Sequence, residues 1–200
     1  SSVQDSEGNQ HKCVVSGGAD ASLVLDPYPN SSGCRFDIDD DIDYETKTSY
    51  SFEISLYEWD GSSIYGSANV ESITLFVNDV NDNYPVITSS STFYPVEEQA
   101  AIGTVTATDN DAGSLTYSII NVDPAYNESP YLTISIDENT GELSFACSPP
   151  YTTSDCYPDY EQSTGRIWTA TVVATDSPGN VYGWYWSDYQ DITIFVINTN

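Results

Sequence analysis

Short runs in which apolar and polar residues alternate dominate the chain, and each run stops at Pro, Gly, Asn or Asp. Tyr50-Ser51-Phe52-Glu53-Ile54-Ser55-Leu56 puts Tyr50, Phe52, Ile54 and Leu56 on one face of a period-two strand. Ile73-Thr74-Leu75-Phe76-Val77 predicts a second strand, and Cys13-Val14-Val15 and Leu23-Val24-Leu25 are shorter apolar runs. Beyond Pro85 the pattern resumes in Val86-Ile87-Thr88, Phe93 to Val96, Ile102 to Ala107, Leu115 to Ile120, Leu132 to Ile136, Ile167 to Ala174 and Asp191 to Val196. No window carries a 3.6-residue apolar period over ten or more residues. About seven strands with turn signals between them predict an all-β fold of sandwich type.

The pattern also repeats. Asp43-Tyr44-Glu45 recurs as Asp159-Tyr160-Glu161, and Ile73 to Val77 recurs as Ile192-Thr193-Ile194-Phe195-Val196. Self-similarity at a period of about 116–119 residues predicts tandem copies of one module. Between the copies lies Asn78-Asp79-Val80-Asn81-Asp82-Asn83-Tyr84-Pro85. Its alternation of carboxylate, carboxamide and backbone carbonyl suits a hard cation such as Ca²⁺, which takes about 6–8 oxygen ligands, although the same residues also make a solvated acidic turn.

Charge sharpens this reading. Four Lys/Arg against 31 Asp/Glu give a net charge of −27 over 200 residues. Such a balance argues against nucleic acid and anionic membrane surfaces as partners and calls for cations. The 39% of hydrophobic residues suffices for real cores. Four cysteines, Cys13, Cys34, Cys147 and Cys156, with no Cys-x-x-Cys pair and a single His, favour disulfides over zinc. The triplets Asn30-Ser31-Ser32 and Asn127-Glu128-Ser129 mark Asn30 and Asn127 as glycosylation candidates. Both features point to an extracellular setting, at a cell surface or secreted, where calcium is abundant. No catalytic constellation is present: His11 sits in a polar stretch, and neither Gly-x-Ser-x-Gly nor a phosphate loop occurs. No run is apolar enough to span a bilayer, and nothing at Ser1 reads as a signal peptide, so the chain is expected to be a mature product or a fragment.

Five motifs in order resemble the calcium-binding motifs of cadherin repeats. They are Asp79-Val80-Asn81-Asp82-Asn83 with Pro85, Asp109-Asn110-Asp111 after an Ala-Thr pair, the two Asp-Tyr-Glu triplets, Ala174-Thr175-Asp176, and Val96 to Thr104, which resembles the glutamate-bearing opening of a repeat. The resemblance implies tandem Greek-key β-sandwiches: a partial repeat over residues 1–83 ending in the linker motif and a complete repeat over 84–200. It implies Ca²⁺ as cofactor. At the junction Asp43, Glu45, Asp79, Asp82 and the Val80 carbonyl would hold ions from the first repeat; Asn81, the Asn83 carbonyl, Asp109, Asp111 and Asp176 would hold the ion nearest the second. Glu98, Asp159 and Glu161 would face a following repeat. In this frame Cys13 pairs with Cys34 and Cys147 with Cys156, each bridge staying inside its repeat.

The resemblance also implies a function, either a calcium-dependent adhesion or rigid-spacer module or, alternatively, a structural subunit of an extracellular filament or matrix. The partners would be other protein chains, neighbouring filament subunits and further repeats of the same chain, with no nucleic acid. The first repeat lacks the strands that open such a module, so the chain reads as a piece of a longer array, or as one completed by a strand from a neighbouring subunit. The aromatic stretch Tyr182 to Tyr189 is read either as cross-strand packing or as a contact surface.

Overall fold

A computed structural model describes residues 3–4, 10–25, 28–30, 33–38, 41–59, 62–111, 113–124, 132–147, 156–161, 167–177 and 185–199. The chain divides into two compact units, Ser1–Asp79 and Val80–Asn200, with the division inside the acidic linker stretch. Among the described residues the one helical piece is a 3-10 turn at Ala21–Leu23.

In the first unit, β1 (Val3–Gln4), β2 (Gln10–Gly17), β5 (Ser49–Trp59) and β6 (Ile64–Phe76) form one antiparallel sheet in the order β1-β2-β5-β6. A separate hairpin joins β3 (Tyr28–Asn30) to β4 (Gly33–Arg35). The alternation seen in the sequence sets the inner face at Tyr50 and Phe52, which are almost fully buried, the Phe36 ring meeting Phe52 edge-on at 4.9 Å between centroids; beyond them it breaks, with Ile54 and Leu56 only half-buried and Ser55 buried between them, where register shifts interrupt the pairing of β5 with β2 and β6. Two expectations change in detail. The apolar run Leu23 to Leu25 is not a strand; it closes the 3-10 turn, and Val24 makes only an isolated bridge to Ile38. Strand β6 is far longer than Ile73 to Val77, because it pairs with β5 from Ile64 onward.

The second unit is a two-layer sandwich. One sheet has the order β11 (Thr116–Pro124), β14 (Ile167–Thr175), β15 (Ser187–Phe195), β8 (Thr92–Phe93); β8 runs parallel to β15 and the other pairs are antiparallel. The other has the order β12 (Leu132–Ile136), β13 (Glu142–Cys147), β9 (Ala101–Thr104), and β7 (Val86–Ile87) pairs with β10 (Ala107–Thr108) beside it. The alternating residues of both sheets meet in one core holding Val105, Ile134, Leu143, Phe145, Trp168, Val172, Ile192 and Ile194, with the Phe145 and Trp168 rings 5.9 Å apart across the layers. The β12–β13 turn needs glycine at Gly141: its φ is +72°, and a Cβ there would lie 2.2 Å from the Val105 carbonyl oxygen.

The two units use the same strand pair with unequal cover. Ser49 pairs with Phe76 and Tyr50 with Leu75, as Ile167 pairs with Phe195 and Trp168 with Ile194. In the second unit Ile192, Ile194 and Val196 are 1%, 0% and 4% exposed. Their counterparts Ile73, Leu75 and Val77 are only half-buried. The difference follows from the neighbours. Strand β15 is flanked by β14 and β8, whereas β6 is the last strand of its sheet among the described residues. Phe195 stacks with Tyr94 at 5.6 Å, while Phe76 is 74% exposed.

Cys147 and Cys156 are disulfide-bonded, closing a short loop next to Asp159. Cys13 is also disulfide-bonded; the side chain of its expected partner Cys34 lies outside the described residues. Asn127 and the side chain of Asn30 lie outside them as well.

Candidate metal centre

Asp43-Tyr44-Glu45 forms a tight turn just before β5. Asp43 Oδ1 accepts from the Glu45 N–H at 3.0 Å and the Thr46 N–H at 3.4 Å, and Oδ2 accepts from the Thr46 hydroxyl at 2.6 Å. These bonds, the Thr46 hydroxyl first, hold the Asp43 carboxyl below the usual carboxylate range. An aspartate that caps its own turn leaves the triplet's outer carboxylate, Glu45, exposed to solvent. Asp79, the last residue of this unit, has a buried Oδ1 with no hydrogen-bond partner among the described residues.

The second unit gathers its expected ligands at one end. Asn81 donates from Nδ2 to Asp176 Oδ2 at 2.6 Å and to the Ser177 carbonyl at 2.8 Å. Asn83 donates from its backbone to Asp111 Oδ2 at 2.7 Å and from Nδ2 to Asp111 Oδ1 at 2.8 Å. The Asp111 N–H donates to Asp109 Oδ1 at 3.0 Å, and the Trp186 N–H to Asp176 Oδ1 at 2.8 Å. Asn81, Asp111 and Asp176 are buried, whereas Asp82 and Val80 are exposed, with Asp82 Oδ1 accepting from Asn83 at 3.1 Å. The folding logic is direct: Asp176 ends β14, Asp109 and Asp111 follow β10, and Asn81 and Asn83 lead into β7, so the sandwich brings three distant segments to one end.

This end holds Asp109, Asp111 and Asp176 with no basic partner among the described residues of the unit, since Lys12, Arg35 and Lys47 lie in the first unit and Arg166 is outside the described set. Asp109 Oδ2 is buried and accepts no hydrogen bond among the described residues. Donors reach every other oxygen of the three carboxylates, but gathering carboxylates away from water without counter-charge still costs several kcal/mol, so an all-oxygen, net-negative set of this kind fits a hard divalent cation.

The opposite end of the second unit holds another set. Carboxylate oxygens of Glu97, Asp159 and Glu161 lie within 4.8 Å of one another. Glu97 is 6% exposed. Its Oε2 accepts from the Tyr160 N–H at 3.0 Å, and its Oε1 accepts from the Thr199 N–H at 3.0 Å. The Thr199 N–H, followed by that of Tyr160, holds the Glu97 carboxyl below its usual range. Asn198 donates from Nδ2 to Glu161 Oε1 at 2.7 Å.

The structure differs from the sequence expectation in which glutamate lies beside Asp159 and Glu161. The expected glutamate was Glu98, but Glu97 joins Asp159 and Glu161. Glu98 is exposed, sits at φ +57° and donates its N–H to the Pro158 carbonyl at 2.9 Å. Two adjacent glutamates in an irregular segment give no periodicity from which to choose between them. The aromatic stretch is partly described: Trp186 is half-buried against Tyr84, ring centroids 4.4 Å apart, and Tyr185 is 60% exposed, whereas Tyr182 and Trp184 lie outside the described residues.

No protein-family profile matches the chain. It is 32% identical over 142 residues to Neural-cadherin of Drosophila melanogaster, an alignment covering 65% of this chain and 4% of that protein. It is 31% identical over 142 residues to human Protocadherin gamma-A5, covering 68% of this chain and 13% of that protein. The solved extracellular domain of Protocadherin GammaB4 superposes with a TM-score of 0.64 at 28% identity, over 93% of this chain and 27% of that one. The chain is built of cadherin repeats. Human Protocadherin-24 EC1-2 adds a likeness of fold alone, with a TM-score of 0.68 at 20% identity over 98% of this chain and 85% of that one. The chain thus spans a small part of the length of the cadherins and protocadherins it matches in sequence.

Proposed function

We propose that the chain is a calcium-dependent extracellular module, adhesive or spacer-like, in which Ca²⁺ at the inter-repeat junction stiffens a tandem array. The observation that carries this is the buried carboxylate set of the second unit, with its unpartnered Asp109 Oδ2 and no basic side chain among the unit's described residues. Asp109, Asp111, Asp176, Asn81 and the Asn83 carbonyl would ligate from that unit. Asp43, Glu45, Asp79, Asp82 and the Val80 carbonyl would ligate from the side of the first. Bound calcium supplies charge neutralisation; the residues supply the turns and hydrogen bonds that aim the oxygens. Glu97, Asp159 and Glu161 would serve a following repeat. A setting at the cell surface or secreted fits millimolar calcium and weak acidic sites.

Isothermal titration of the intact chain with calcium, paired with small-angle scattering before and after chelation, tests the proposal. The expected result is binding at about 10⁻⁴–10⁻³ M or tighter, with a more extended, stiffer particle when calcium is bound. Absence of binding at 10⁻² M, or scattering indifferent to chelator, refutes it. The alternative, a filament subunit completed by a neighbour's strand, is favoured by β6 having no partner on its outer edge among the described residues. Assembly into polymers at neutral pH, seen by sedimentation, would select it over adhesion.

A further inference from the structure

In the second unit a carboxylate steadies the Asp159–Glu161 turn: Glu97 accepts the Tyr160 N–H at 3.0 Å. That glutamate lies between β8 and β9, and the first unit has no counterparts of those strands among its described residues. Its own turn is held in another way. Lys47, two residues beyond Glu45, donates its backbone N–H to the Asp43 carbonyl at 2.9 Å, closing the turn. Its side chain reaches back from Nζ to Asp20 Oδ1. Asp20 is 7% exposed; its Oδ2 accepts the Ser51 N–H at 2.7 Å, and its own N–H donates to the Ser51 carbonyl at 2.9 Å. The ammonium also lies 4.8 Å from the centre of the Tyr50 ring, a cation–π contact on a buried aromatic. One lysine therefore ties the turn to the first residues of β5 and to the Asp20 loop after β2. The Lys47 ammonium, with the Ser51 N–H second, keeps the Asp20 carboxyl below its usual range.

A lysine beside a cation site is electrostatically costly. Lys47 is one of four basic residues in a chain of net charge −27, and it stands two positions from a carboxylate proposed to ligate calcium. Charge alone disfavours that placement, since an ammonium repels an incoming divalent cation. Geometry offers the compensating benefit. A turn fixed before the metal arrives loses less conformational entropy on binding, and partners that orient ligands without touching the metal commonly matter by about 10–100-fold in metal affinity.

We infer that Lys47 and Asp20 are positioning residues for the calcium-ligating turn Asp43–Glu45, performing in the first unit by an internal ion pair what Glu97 performs in the second. The inference rests on the calcium reading above. It gives the two ends of the array different characters. The first-unit turn is fixed by an ion pair outside the ligand set, whereas the second-unit turn is steadied by Glu97, itself one of three carboxylates within 4.8 Å of one another.

Two effects of opposite sign make the test decisive. Calcium titration of the intact chain is compared among wild type, Lys47→Met, Lys47→Arg and Asp20→Asn, with melting in chelator as a control. A positioning role predicts that Lys47→Met weakens calcium binding by about tenfold although a positive charge has been removed, and that Lys47→Arg restores it. Asp20→Asn, which keeps an acceptor for the Ser51 N–H, should weaken binding in the same direction and decides the matter if Lys47→Met fails to fold. Binding by Lys47→Met or Asp20→Asn that is equal to or tighter than wild type overturns the inference and leaves the calcium reading standing. No binding by wild type sinks both.

Discussion

Asp109→Asn separates a metal ligand from a structural hydrogen-bonding residue. The substitution keeps an oxygen to accept the Asp111 N–H, now at 3.0 Å, and alters only the buried, unpartnered Oδ2. Without calcium it removes one charge from the group Asp109, Asp111 and Asp176, so melting in chelator should be unchanged or higher. With calcium the sign reverses. A cation that binds only the folded state adds RT ln(1 + [Ca²⁺]/Kd), which for a Kd of about 10⁻⁴–10⁻³ M and about 10 mM calcium is roughly 1.4–2.7 kcal/mol. Losing a charged ligand at a cost of about tenfold in affinity removes roughly 1.0–1.3 kcal/mol of that increment. At about 2–4 °C per kcal/mol for a chain of this size, the calcium-bound melting point falls by about 2–5 °C. Intrinsic fluorescence, with four Trp and 16 Tyr as reporters, reads the transition. A variant that melts lower in chelator and gains as much from calcium as wild type would show that Asp109 is structural, and the reasoning would fail.

The unequal cover of the two units predicts unequal costs for the same truncation. Ile194→Ala, at a fully buried position, should cost about 3–4 kcal/mol, while its half-buried counterpart Leu75→Ala costs about 1–2 kcal/mol; equal losses by denaturant melting would contradict the burial argument. Glu97→Gln should weaken terbium or calcium binding at the far end of the second unit, and Glu98→Gln should leave it unchanged, so the reverse order would restore the glutamate expected from sequence. Asp137, which accepts from the Asn139 and Thr140 N–H groups at 2.9 Å each, has its carboxyl held below the usual range by those bonds, Thr140 first. A depressed folded-state pKa gives stability that is present above the unfolded value, about 3.9, and lost as pH falls through the folded one. The stability gap between wild type and Asp137→Ala in chelator should therefore be present at pH 7 and close below pH 4; a gap that widens in acid would refute the assignment.

Local signals announced most of this protein. Period-two alternation at Tyr50, Phe52, Ile73 and Leu75, and again at Ile192 and Ile194, fixes which side of each strand turns inward, because successive side chains of an extended backbone point to opposite faces. The Asp-rich triplets and the linker stretch mark where oxygen ligands concentrate, and the resemblance they carry implied the Cys147–Cys156 bridge that the structure shows. These features are carried by neighbours within a few residues, so they survive without knowledge of the fold.

What remained hidden depends on segments far apart in the chain. Identical alternation in β6 and β15 gives no hint that Ile194 is sealed while Leu75 is half open; that follows from distant segments, the facing sheet that shares the Ile194 core and β8, about a hundred residues before β15, with no counterpart of β8 beside β6 among the described residues. The choice of Glu97 over Glu98 follows from a backbone reversal at φ +57° and from N–H donors at Tyr160 and Thr199, both more than 60 positions away. The Asp20–Lys47 pair likewise joins residues 27 apart that no short motif links. The sequence by itself determined the all-β character, most strands with their inward faces, and the kinds of ligand available. Only tertiary structure decided which carboxylates are buried together and which apolar face is covered, because burial and desolvation are properties of the assembled fold.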